Sequence, residues 1–61
     1  MDRITYQDRM DSLVYRYRNA QKNKCVRTAR ARVRDMAKLY AEYSGKSYSE
    51  SLMQIEKSLV R

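Results

Sequence analysis

The stretch from Lys22 to Gly45, KNKCVRTARARVRDMAKLYAEYSG, decides how this chain folds. Within it Val26, Ala29, Val33, Met36, Tyr40 and Tyr43 recur at steps of three and four, joined on the flanks by Cys25, Ala37 and Leu39. Apolar residues at that spacing form one stripe of an α-helix. Lys24, Arg27, Arg30, Arg34 and Lys38 keep the same steps on the opposite side, widened by Lys22 and Arg32. One face is set to pack and the other to offer positive charge. The spacing predicts a helix over about 24–44, ended by Gly45, the chain's single glycine, in the left-handed conformation.

Upstream, Thr5 and Asp8 match a capping box ahead of Tyr6, Met10, Leu13, Val14, Tyr17 and Ala20, which predicts a helix over about 6–20. Asp8 and Asp11 in its first half and Arg16 and Arg18 in its last turns suit the helix dipole. The polar run from Asn19 to Lys24 then reads as the turn of an αα-hairpin. Downstream, Ser47 and Glu50 form a second capping box before the stripe Tyr48, Leu52, Ile55 and Leu59, with Met53 and Val60 at its edges. A third helix is expected over about 48–60. With no proline and no internal repeat, the chain reads as one all-α domain over residues 1–61. The expected architecture is a compact three-helix bundle, completed by dimerisation if the third helix packs on a second copy.

Sixty-one residues bury only about 60% of the surface of the unfolded chain, so a domain of this size needs reinforcement. One cysteine excludes an internal disulfide, and the absence of histidine leaves no metal-ligand cluster. Oligomerisation is the remaining device, and a homodimer is expected. Cys25 is expected to act as a small buried hydrophobe, and a lone thiol fits a reducing, cytoplasmic setting. No apolar run approaches the roughly 20 residues that cross a bilayer, and no signal-peptide h-region is present. The expectation is a soluble, unprocessed protein without a membrane partner.

The net charge is +7, and residues 22–43 hold seven basic against two acidic side chains, or +5 of that total. Guanidinium groups bind phosphate in a bidentate fashion, and each neutralised phosphate releases counterions. The candidate nucleic-acid or partner-binding residues are therefore Lys22, Lys24, Arg27, Arg30, Arg32, Arg34 and Lys38. Tyr15, Arg16 and Arg18 are additional candidates, because Tyr15 falls off the apolar stripe of its helix beside two arginines. Tyr40, Tyr43 and Tyr48 fall on apolar stripes and are expected in the core or in a dimer contact. No histidine, glycine-rich phosphate loop or cysteine pair is present, and a core this small encloses a substrate pocket with difficulty, so no enzyme, metal or cofactor is expected.

The expected function is a small basic regulatory protein that binds nucleic acid, DNA ahead of RNA, through the Arg/Lys face of its central helix. The alternative is an interaction module, such as a small inhibitor or adaptor of phage or mobile-element origin, docking that helix on an acidic surface of a larger host protein. Charge steers either encounter.

Two resemblances bear on the first reading. Gly45-Lys46-Ser47-Tyr48-Ser49-Glu50 followed by Leu52 resembles the turn and second-helix start of ribbon-helix-helix repressors, over about a third of the chain. That family implies a strand near Lys24 to Ala29, where this sequence keeps helical phase. Ala41 and Gly45 are similar to the small residue and turn glycine of a helix-turn-helix. That pattern implies apolar residues six and nine positions after the glycine, where this chain has Ser51 and Gln54, with Leu52 and Ile55 one step late.

Overall fold

The central apolar stripe becomes α2, Val26–Ser44, which lies between α1, Arg3–Lys22, and α3, Tyr48–Leu59. The computed structural model describes residues 1–59. Both outer helices pack on α2, while α1 and α3 nowhere bring their Cα atoms within 8 Å of each other. The described residues contain no strand. The fold is a three-helix bundle in which α2 is the shared element.

Helix α1 is longer than the expected 6–20 at both ends. Asp2 is its N-cap: the Thr5 backbone N–H donates to Asp2 Oδ1 at 2.7 Å, so the capping residue stands three positions before Thr5. That hydrogen bond, first among several causes, holds the Asp2 carboxyl below its ordinary pKa. Asp8 and Asp11 consequently lie beyond the first turn, which contains no acidic residue, and the dipole role expected of them is lost. At the other end the polar run does not interrupt the helix until Asn23, because polar residues tolerate a solvent-facing helical turn. The Cys25 N–H donates to the Ala20 carbonyl at 2.8 Å, closing the connection.

Lys24 sits in that connection with φ 59°, the one non-glycine residue at positive φ among those described. It is therefore not helical, and α2 starts two residues later than expected. Cys25 becomes the N-cap of α2 without a side-chain cap hydrogen bond, and its thiol is exposed rather than buried. Val26, expected inward, is 60% exposed: it borders an open hollow with Tyr17, Ala20 and Gln21 of α1, and no residue of α3 lines that hollow.

Gly45 closes α2 as expected, with φ 76° and its N–H donating to the Ala41 carbonyl at 2.9 Å. Ser47 then accepts from the Glu50 N–H at 3.3 Å, half of the expected capping box. The expected extension of α3 to Val60 lies outside the described residues.

The buried apolar set is small: Ala20, Ala29, Met36, Ala37 and Leu39. Alanines allow the backbones to approach closely, and Met36 fills the irregular space between them. Ser51 is also fully buried, its hydroxyl satisfied by donation to the Ser47 carbonyl at 2.8 Å. Only α2 is near enough to cover it. Tyr6 of α1 stacks on Tyr43 of α2 with ring centroids 4.0 Å apart and planes inclined by 11°. Tyr43 and Tyr48 nevertheless remain 40% exposed, so neither is a core residue.

Gly45→Ala meets no neighbouring atom, so its cost is the left-handed backbone alone, about 1 kcal/mol, readable as a lowered thermal midpoint. Burial, followed by the neighbouring Tyr40 and Tyr43, raises the pKa of the Tyr6 phenol above 10.0. The unfolded chain therefore ionises first, and the contribution of Tyr6 is complete below pH 10 and is lost as pH rises through its folded value. Tyr6→Phe should flatten the alkaline decline in stability measured by circular dichroism.

Candidate nucleic-acid interface

Four of the candidate residues, Arg27, Arg30, Arg34 and Lys38, are exposed on one side of α2. At about 100° and 1.5 Å per residue they occupy a sector roughly 80° wide and span about 16 Å along the axis. None of the four takes part in a salt bridge among the described residues. Their charge is free to meet an external anion. Glu42 borders the sector at its C-terminal end, and Asp35 lies a further 20° or so around the helix, beside Arg32.

Arg32 does not belong to this face. It is two positions from both Arg30 and Arg34, which turns it roughly 160° away from each. Arg32 Nη1 lies 3.5 Å from Asp35 Oδ2, its side chain is 27% exposed, and its Nε is buried without a hydrogen-bond partner. A guanidinium in this position lends its aliphatic stem to packing. The two-residue spacing in the sequence already carried this signal.

The remaining candidates are dispersed. Lys22 ends α1, and Lys24 occupies the turn, so both are exposed at one end of the bundle. Lys24 and Arg30 line one hollow there, floored by Ala29 and Val33. Tyr15 and Arg18 are exposed on α1. Arg16 borders a different hollow with Arg9, Leu13 and Leu39. The Tyr6–Tyr43 stack and the Leu13–Leu39 hollow place α1 roughly 140° around α2 from the Arg27, Arg34 and Lys38 direction. That direction applies to the far half of α1; nearer its C-terminal end Tyr17, between Arg16 and Arg18, lines hollows with Arg30 and Arg34.

A feature outside the expected site adjoins the stripe. Arg30 and Arg34 line a hollow with Tyr17, Val33, Leu52, Glu56 and Leu59. The cationic face therefore grades into apolar surface rather than ending at a polar border. Lys46 adds a further cation, its Nζ 5.7 Å from the centre of the Tyr40 ring.

Neither resemblance is carried by the geometry. Residues 26–29 are the first turn of α2, so the strand a ribbon-helix-helix needs is absent there. In a helix-turn-helix α3 would enter the groove, but α3 has Lys57 against Glu50 and Glu56 and so carries no excess of positive charge. Among the described residues no group of acidic, cysteine or histidine side chains could hold a metal ion, and no helix is long and apolar enough to cross a membrane. No protein family, curated protein or solved structure matches this chain.

The two classes of arginine should separate under mutation. Arg32→Ala is expected to lower stability by about 1 kcal/mol through lost stem packing. Arg27→Ala, on the open face, should stay within about 0.5 kcal/mol of the parent in a denaturant titration.

Proposed function

We propose that the protein binds nucleic acid, duplex DNA ahead of RNA, through phosphate contacts made by Arg27, Arg30, Arg34 and Lys38. The observation that carries this reading is the row of four exposed cations on one helix, without ion pairs among the described residues. The preference for DNA follows from groove shape: the DNA major groove admits an α-helix, whereas that of RNA is deep and narrow. The exposed side of α2 offers few side chains that read base edges, so affinity comes from charge and sequence preference is weak. A regulatory or DNA-organising role in the cytoplasm fits these properties, and the exposed Cys25 thiol is compatible with a reducing compartment.

A second reading draws on the hollow shared by Arg30, Arg34, Leu52 and Leu59. An acidic amphipathic segment of another protein would find both charge and apolar contact there. This is the interaction-module alternative, with an acidic protein surface in place of phosphate.

A salt series separates them. Four phosphate contacts give a slope of about −3.6 for log affinity against log salt on duplex DNA. Changing Arg27, Arg30 and Arg34 together to Ala should reduce that slope by nearly three, with helicity unchanged. Absence of binding to duplex DNA at low salt would remove the nucleic-acid reading and leave the protein partner.

A further inference from the structure

On the side of α1 that faces away from α2, Ile4, Asp8, Asp11, Tyr15, Arg18 and Lys22 follow one another at steps of four, three, four, three and four. They fill a sector roughly 80° wide, centred about 180° from Leu13, and that spacing is the one found along the seam between two paired helices. All six are exposed, and Ile4 at 76% and Tyr15 at 62% are the most exposed large apolar side chains among the described residues. Gln7, Ser12, Val14 and Asn19 border the sector. Its charges are therefore two acids in the N-terminal half and two bases in the C-terminal half, a neutral face on a chain of charge +7. None of the four takes part in an ion pair among the described residues. The helix dipole accounts for Lys22 in the last turn, but not for Asp8 or Asp11.

The order of these charges is self-complementary. Asp8 and Lys22 stand on opposite sides of Tyr15, each about 10.5 Å from it along the helix axis, while Asp11 and Arg18 stand about 6 and 4.5 Å away. An antiparallel copy of α1 crossing at Tyr15 therefore sets Lys22 against Asp8 and Arg18 against Asp11, and two-fold symmetry repeats both pairs. Tyr15 meets its own counterpart at the axis, where two rings can stack. A parallel copy would set acid on acid and base on base, so charge fixes the orientation.

We infer that the Ile4–Lys22 face of α1 is the contact surface of an antiparallel homodimer, centred on Tyr15 and held in register by the Asp8–Lys22 and Asp11–Arg18 pairs between copies. Charge complementarity selects the second copy. Asp8 and Asp11 repel a polyanion at this face, and a foreign helix would have to carry the same order of acids and bases that the chain itself supplies. The contact lies on the side of α1 turned from α2, so the cationic stripes of both copies remain outside it. Exposed ion pairs are individually weak and are screened by salt, which makes the dimer weak and salt-sensitive.

The test contains no nucleic acid, so its outcome is independent of the function proposed above. Sedimentation equilibrium at low salt, from micromolar to millimolar concentration, should show the mass rising from 7.3 kDa towards twice that value, and added salt should reverse the rise. Over the same series the wild-type amide signals of Asp8, Tyr15 and Arg18 should shift while those of Arg27 and Lys38 stay fixed. Arg18→Glu with Lys22→Glu makes the face wholly acidic, and Asp8→Lys with Asp11→Arg makes it wholly basic. Each double variant should remain helical and sediment as a single chain, the acidic one even though its net charge is lower than that of the parent. Mixed in equal amounts, the two should pair with each other. A wild-type mass of one chain throughout, shifts confined to α2, undiminished dimerisation of either double variant, or failure of the mixture to pair would each overturn the proposal.

Discussion

Everything in this bundle depends on the packing of α2 against two neighbours whose backbones stay apart, with no Cα atoms within 8 Å of each other. Ala29 and Ala37 let backbones approach, Met36 fills the space that alanine cannot, and the Tyr6–Tyr43 stack fastens the open end of the first hairpin. Since hydrophobic stabilisation scales with the apolar area removed from water, a core this sparse leaves little margin. A helix in this central role cannot be altered on its packing face without disturbing both hairpins. Its cationic side is free of that constraint, which is why fold and charge coexist on nineteen residues.

The elements most legible in the sequence were those fixed by local chemistry. The steps of three and four from Val26 to Tyr43 located α2 and its orientation, and Gly45 located its end, because a left-handed cap has few residues to choose from. The start of α1 was harder to read: Asp2 and Thr5 compete as caps, and both precede plausible helical residues. Cys25 and Val26 were misplaced for another reason. A helical stripe gives direction but not how far along the helix a neighbour extends, and the hollow at the first turn of α2 is lined by α1 but not by α3.

The cationic face was legible as a row, but its membership was not. Arg32 shares composition with Arg30 and Arg34 and differs only in phase, and phase puts it beside Asp35 with a partly buried stem. How Tyr15, Arg16 and Arg18 relate to the stripe depends on tertiary arrangement, which the sequence of one helix does not give. Ser51 was passed over because its type is polar, although it stands three residues after Tyr48 and four before Ile55. Its hydroxyl closes on its own helix, so burial leaves no polar group unsatisfied.

The order of the closely packed pairs also shapes how the chain reaches this state. Each packed pair joins helices adjacent in sequence through a connection of three residues, 23–25 or 45–47, so no distant loop must close before stabilising contacts form. Two local hairpins share one strut, much as neighbouring units do in a repeat protein. Pairing between neighbours in sequence favours fast folding, and α2, which packs on both outer helices, is the element that both hairpins require.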